Sequence, residues 1–157
     1  MKAPLAALAL FLAAVVSSER LTTPLTFEDA AGAKVILNEP GMLYLVDFWA
    51  EGCKPCMEEM PELERLANKY EPTGRFKLIS VLWGGWKGQQ LKDFAKRYDI
   101  QRGFYSDPEN WLMRIDDKVF PTKLLIRDGE ILYRTHGGGT GAYAKWSKVV
   151  EAELKDR

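Results

Sequence analysis

Cys53 and Cys56 are the chain's only two thiols, and they stand three positions apart in Cys53-Lys54-Pro55-Cys56. A pair at this spacing can make and break an internal disulfide, or it can offer two ligands to a soft metal ion. A purely structural bridge is the weaker use. Closing so short a loop removes little freedom from the unfolded chain, roughly 2 kcal/mol. If the pair opens a helix, the free N–H groups and helix dipole favour a thiolate on Cys53. Lys54 adds a positive charge beside it, and Pro55 preorganises the first turn without removing a needed donor. Cys53 is then placed to attack a disulfide. Cys56, on the same helical face, is placed to resolve the mixed disulfide that results.

The metal reading has less to draw on. A structural zinc site takes four ligands, no further cysteine exists, and the one histidine, His136, lies far along the chain. Copper held by the two thiolates, as in a copper-binding chaperone, remains the alternative to redox chemistry. Lys+Arg and Asp+Glu both total 22, a net charge of +0. That balance argues against nucleic acid as a partner.

The elements around the pair follow from periodicity. Residues 42–49 (MLYLVDFW) form an almost wholly apolar run, as in a buried central strand, with Asp47 the one misfit. After Gly52, apolar residues recur at three- and four-residue steps to about Tyr70, which predicts a helix with Pro61 as a kink. Residues 76–83 read as a second strand, 91–98 as a helix, 104–106 as a short strand and 111–115 as a helical stretch. Asp128-Gly129 marks a hairpin between strands at 122–126 and 131–134, and residues 142–154 close the chain as an amphipathic helix. Short β-like runs at 25–27 and 35–37 flank a turn at 29–32. Strands alternating with helices and then a late hairpin imply a mixed sheet between helices.

Val46-Asp47-Phe48-Trp49-Ala50-Glu51-Gly52-Cys53-Lys54-Pro55-Cys56 resembles the active-site segment of the thioredoxin superfamily, and Phe120-Pro121-Thr122 resembles its cis-proline segment. Cys56-Met57-Glu58-Glu59-Met60-Pro61-Glu62-Leu63 is similar to the helix start of the exported TlpA/ResA-type branch. Cys56 and Pro121 stand 65 positions apart, more than a plain thioredoxin layout uses. The resemblance implies an α/β thioredoxin-like fold, with an extra helix-strand insertion before the cis-proline, assigned to part of residues 91–115. It also implies a thiol-disulfide oxidoreductase with Cys53 as attacking thiol and Cys56 as resolving thiol. Asp47 is then a buried proton acceptor near Cys56. Trp49, Lys54, Pro55, Phe120 and Pro121 are expected beside the substrate, with the Phe120–Pro121 bond cis. No bound cofactor is implied beyond the redox-active Cys53–Cys56 disulfide.

The implied partners are protein thiols and disulfides together with an upstream membrane electron donor or acceptor, and the chain is expected to be a monomer. The reducing direction is favoured, with haem-attachment cysteines of cytochrome c precursors as a target class. Gly52 and Phe120 depart from the residues common in relatives, which bears on substrate preference. His136 reads as a surface loop residue, Met57 and Met60 as core packing, and the helical Lys and Glu residues as solvated faces.

Residues 1–18 combine a basic start, an apolar run shorter than the roughly 20 residues of a spanning helix, and small residues at Ser17-Ser18. This is the pattern of a secretory signal peptide, with an uncleaved anchor as the alternative. Either places the thioredoxin-like domain, residues 19–157, in the periplasm or otherwise outside the cytoplasm.

Overall fold

A computed structural model describes residues 19–115 and 118–155. The expected signal segment, residues 1–18, lies outside the described residues. In chain order the elements are β1 (Glu19–Arg20), β2 (Thr26–Glu28), β3 (Lys34–Ile36), β4 (Leu43–Trp49), α1 (Lys54–Tyr70), β5 (Phe76–Leu82), α2 (Gln89–Arg97), β6 (Tyr105–Ser106), α3 (Trp111–Ile115), β7 (Thr122–Arg127), β8 (Glu130–His136) and α4 (Ala142–Lys155).

The strands form one mixed sheet in the order β1-β8-β7-β4-β5-β6-β2-β3. The β4–β5 and β5–β6 pairs are parallel, as their helical crossovers require. β7 runs antiparallel to β4, and β8 returns beside it through Asp128-Gly129. The late hairpin is therefore not the sheet's edge. β1, two residues with no strand signal of their own, covers β8 through Glu19↔Ile131 and Arg20↔Glu130. The β2–β3 hairpin closes the far side beyond β6. β6 and α3 lie between α2 and β7, where the extra unit is expected.

All seven residues of β4 are buried, so both of its faces are covered. Tyr44, Val46 and Phe48 join Leu124 and Ile126 of β7 and Trp111 and Leu112 of α3 in one core. Leu43 and Leu45 join Leu125 with Leu63 and Leu66 of α1 and Trp146 and Val150 of α4 in another. Strand alternation puts Asp47 and Trp49 on this second, α1-facing side. A third cluster gathers Trp49, Cys56 and Met60 with Leu91 and Phe94 of α2.

α1 is a single helix with Pro61 inside it. Its buried residues are Cys56, Glu59, Met60, Leu63, Leu66, Ala67 and Tyr70, a stripe at helical spacing that lies on the sheet. Glu62, on the same helix, tethers α4. Its carboxylate accepts from the backbone N–H of Gly141 at 2.9 Å and of Tyr143 at 2.7 Å, groups that α4 itself leaves unpaired.

Candidate active site

β4 ends at Trp49, the chain turns through Gly52 at φ 75°, and α1 begins. Cys53 is the N-cap of α1, and its sulfur accepts from the Cys56 N–H at 3.3 Å. The two cysteines are joined as a disulfide, with Cα atoms 5.3 Å apart. Their exposure is unequal. Cys53 is partly exposed, whereas Cys56 is 0 % exposed and packed among Trp49, Met60 and Leu91. The disulfide thus presents Cys53 toward the surface and keeps Cys56 beneath it.

Lys54 and Pro55 are exposed on the first turn. The Lys54 ammonium lies 3.6 Å from the Glu58 carboxylate, which offsets part of the charge expected beside Cys53. Glu51 is held to Arg97 of α2 at 2.9 Å, fixing the loop before Cys53. Trp49, expected beside the substrate, is 1 % exposed. Its ring packs on Phe94, Tyr98 and Phe104 at centroid distances of 5.4, 5.5 and 5.1 Å. Burial therefore replaces the expected substrate contact with packing behind the cysteines.

The Phe120–Pro121 bond is cis. Cys53 and Phe120 both pack against the cluster that holds Cys56. Phe120 stacks on Trp83 at 5.6 Å, and the Lys118 ammonium sits 3.9 Å from the centre of the Trp83 ring. Val119 is 41 % exposed. Phe120, Trp83 and Val119 thus form an aromatic and apolar edge with one cation, Lys118. The Pro121 ring is buried under the loop at residues 137–141. Gly137 donates to the Pro121 carbonyl at 2.9 Å. A Cβ on Gly138 would lie 2.6 Å from Pro121 Cγ and 2.7 Å from Glu59 Cδ, so the backbone passes where no side chain fits. His136 is exposed at the surface as expected, but it ends β8 rather than standing in a loop and shares a 3.0 Å hydrogen bond with the Thr122 hydroxyl.

Asp47 is fully buried, and its cross-strand neighbour on β7 is Lys123. The Lys123 ammonium lies 3.3 Å from Asp47 Oδ1 and also pairs with Glu59 of α1. Lys123 is 1 % exposed and Glu59 2 %, so one cation and two carboxyls share a closed space. Neither Asp47 oxygen accepts a hydrogen bond among the described residues. Burial pushes the Asp47 carboxyl above the usual carboxylate range, with Lys123 opposing. Burial also raises Glu59. Lys123 again opposes, and the nearby Asp47 charge reinforces the rise. The expectation that the helical Glu residues are solvated thus fails at Glu59. The missed signal is its spacing, since it lies three residues after Cys56 and one before Met60 on the buried stripe. Lys123 carries a weaker signal, a lone cation in an otherwise apolar strand start.

Among the described residues no group of three or more His, Cys, Asp or Glu side chains is arranged to hold a metal ion. A copper ion held by the two cysteine thiolates would have the thioethers of Met57 and Met60 in the same cluster as further soft groups.

No family model matches the chain. It is 30 % identical over 115 residues to the thiol-disulfide oxidoreductase ResA of Bacillus thuringiensis, covering 71 % of this chain and 65 % of the relative. It is 26 % identical over 113 residues to the thioredoxin-like protein YneN of Bacillus subtilis, covering 72 % of this chain and 61 % of the relative. The chain thus spans about three fifths to two thirds of the length of the curated relatives it matches. Among solved structures, StoA of Bacillus subtilis superposes with a TM-score of 0.66 at 20 % identity, covering 83 % of this chain and 98 % of that one. The thioredoxin domain of a thiol-disulfide oxidoreductase from Bacteroides vulgatus gives 0.69 at 23 % identity, covering 86 % and 99 %. A strand-to-helix cysteine pair and a cis-proline on a sheet of this topology give the chain the thioredoxin-like fold, with ResA-type thiol-disulfide oxidoreductases among its relatives.

Proposed function

We propose that this protein is an extracytoplasmic thiol-disulfide oxidoreductase that exchanges disulfides with protein substrates through Cys53 and Cys56. The observation that carries the reading is the unequal exposure of a bonded cysteine pair at a helix N-terminus. In the reducing direction the Cys53 thiolate attacks a substrate disulfide, forms a mixed disulfide and releases one substrate thiolate. The Cys56 thiol gives its proton to Asp47, and the Cys56 thiolate attacks Cys53. The Cys53–Cys56 bond forms and the second substrate thiolate leaves, so two electrons pass to the substrate. A membrane dithiol donor then restores the reduced pair. No bound cofactor takes part.

Phe120 and the backbone at Pro121 form the docking edge for an extended substrate segment, and Lys54 and Pro55 border it. The exposed Val119 and the Phe120–Trp83 stack favour an apolar or aromatic residue next to the substrate cysteine. The reducing direction, and haem-attachment cysteines of cytochrome c precursors as targets, rest on the likeness to the ResA-type branch. Export rests on the pattern of residues 1–18. Among the described residues no helix is long and apolar enough to cross a membrane. The test is reduction of insulin by dithiothreitol. The protein accelerates it, and the Cys53→Ser variant does not. Equal rates for the two proteins would end this reading.

A further inference from the structure

Between α1 and the turn after α2 lies a cavity of about 800 Å³ that thiol exchange leaves unused. Neither cysteine lines it, and neither does the cis-proline segment. Its size falls within the roughly 300–1,000 Å³ common to small-molecule sites. Much of its wall is apolar or aromatic. Trp49 ends β4, Met57 and Met60 come from α1, and Tyr98 and Ile100 follow α2. Trp49, Met60 and Ile100 are buried, so this part of the wall is set by the core behind it.

The rest of the wall is polar, and its cations are already engaged. Arg102 Nε lies 2.9 Å from Glu64 Oε2, one terminal nitrogen pairs with Glu71, and the other donates to Asn68 at 2.7 Å. The Arg65 guanidinium lies over the Tyr143 ring, 3.6 Å from its centre. The cavity is therefore poorly equipped for a phosphate or a carboxylate. Two other atoms are not engaged. Trp49 Nε1 and Glu64 Oε1 are both buried and have no hydrogen bond among the described residues. An indole N–H can only donate, and a carboxylate oxygen can only accept. Buried groups of this kind are nearly always satisfied, so two on residues of one cavity wall point to a molecule that supplies their partners. Hydroxyl chemistry supplies both, since the oxygen accepts and the hydrogen donates. Water could do the same but would leave the apolar wall wet. An aromatic ring covers that wall and packs well against the thioethers of Met57 and Met60 and the ring of Tyr98.

We propose that this cavity binds a neutral phenol-class molecule, its ring against the Met57, Met60 and Tyr98 wall and its hydroxyl chemistry serving Trp49 Nε1 and Glu64 Oε1. The site is separate from the thiol-exchange reading and stands or falls without it. The test titrates the oxidised, isotope-labelled full-length protein with 2-naphthol, and separately with 2-methylnaphthalene, which keeps the size and loses the hydroxyl. Saturable one-to-one binding is expected, about tenfold tighter for 2-naphthol. In the proton–nitrogen spectrum the Trp49 indole signal is expected to move with saturation, while those of Trp111 and Trp146, which do not line the cavity, stay in place. In Trp49→Phe the preference for the hydroxyl is expected to fall about fivefold or more. Absence of saturable binding of 2-naphthol overturns the site. Binding that leaves the Trp49 indole signal unmoved also overturns it, and that reading needs only the parent protein. A hydroxyl preference that is the same in the parent and in folded Trp49→Phe overturns it as well.

Discussion

Replacing Lys123 with methionine keeps the length of the side chain and removes the only cation that pairs with Asp47 and Glu59 among the described residues. Removing one partner of a buried ion pair costs about 3–5 kcal/mol, because the remaining charge is left without compensation. Here the remaining groups can take up protons, so the cost must depend on pH. Both carboxyls are already raised by burial, and Lys123 is the group that holds them down. A raised carboxyl contributes its stability below the unfolded value of about 4 and loses it as pH rises through the folded value. Without Lys123 both folded values rise further. The variant therefore loses more stability than the parent as pH increases. If the native variant holds one proton more than the parent, the gap widens by about 1.4 kcal/mol per pH unit, or about 3 kcal/mol between pH 6 and pH 8. The assay is urea unfolding of parent and Lys123→Met at several pH values, with the disulfide oxidised so that neither thiol titrates. A gap that stays constant across that range would show that Lys123 does not compensate buried carboxylate charge.

Three other outcomes follow from the packing and the ligand set. Gly138→Ala forces a Cβ against Pro121 and Glu59 at under 3 Å and is expected to cost about 1–3 kcal/mol in urea unfolding. Glu62→Ala removes the carboxylate that caps α4 and is expected to cost about 1 kcal/mol. Its two backbone hydrogen bonds hold the Glu62 carboxyl below the usual range, so this contribution is present above the ordinary carboxylate value and fades as pH falls. Calorimetric titration of the reduced protein with cuprous ion tests the copper-chaperone alternative, and tight stoichiometric uptake lost in a Cys53→Ser, Cys56→Ser double variant would favour it over redox chemistry.

The parts of the fold legible in the sequence are those set by local pattern. The apolar run of β4, the change of period after Gly52, the Asp128-Gly129 turn and the late amphipathic helix each depend on neighbours a few residues away. The cysteine pair is legible for the same reason. What escaped depends on register across the sheet. Nothing near Lys123 says that it faces Asp47, 76 positions earlier, because that pairing is set by how β7 docks on β4. Glu59 sits in a run of acidic residues that resembles a solvated face, and only its place on the buried stripe of α1 betrays it. β1 is two residues long and becomes a strand only because β8 offers it an open edge. Nothing near Gly138, in the loop after β8, tells that its backbone lies on Pro121 and Glu59.

The division of labour between the cysteines is tested most directly by the Cys56→Ser variant. The reduced variant is mixed with oxidised glutathione, quenched with acid and weighed intact by mass spectrometry. The account predicts a stable glutathione adduct on Cys53 in the variant and none that persists in the parent, where Cys56 displaces it. An adduct that persists equally in both proteins, or forms in neither, would contradict the assignment of Cys53 as the attacking thiol and Cys56 as the resolving one.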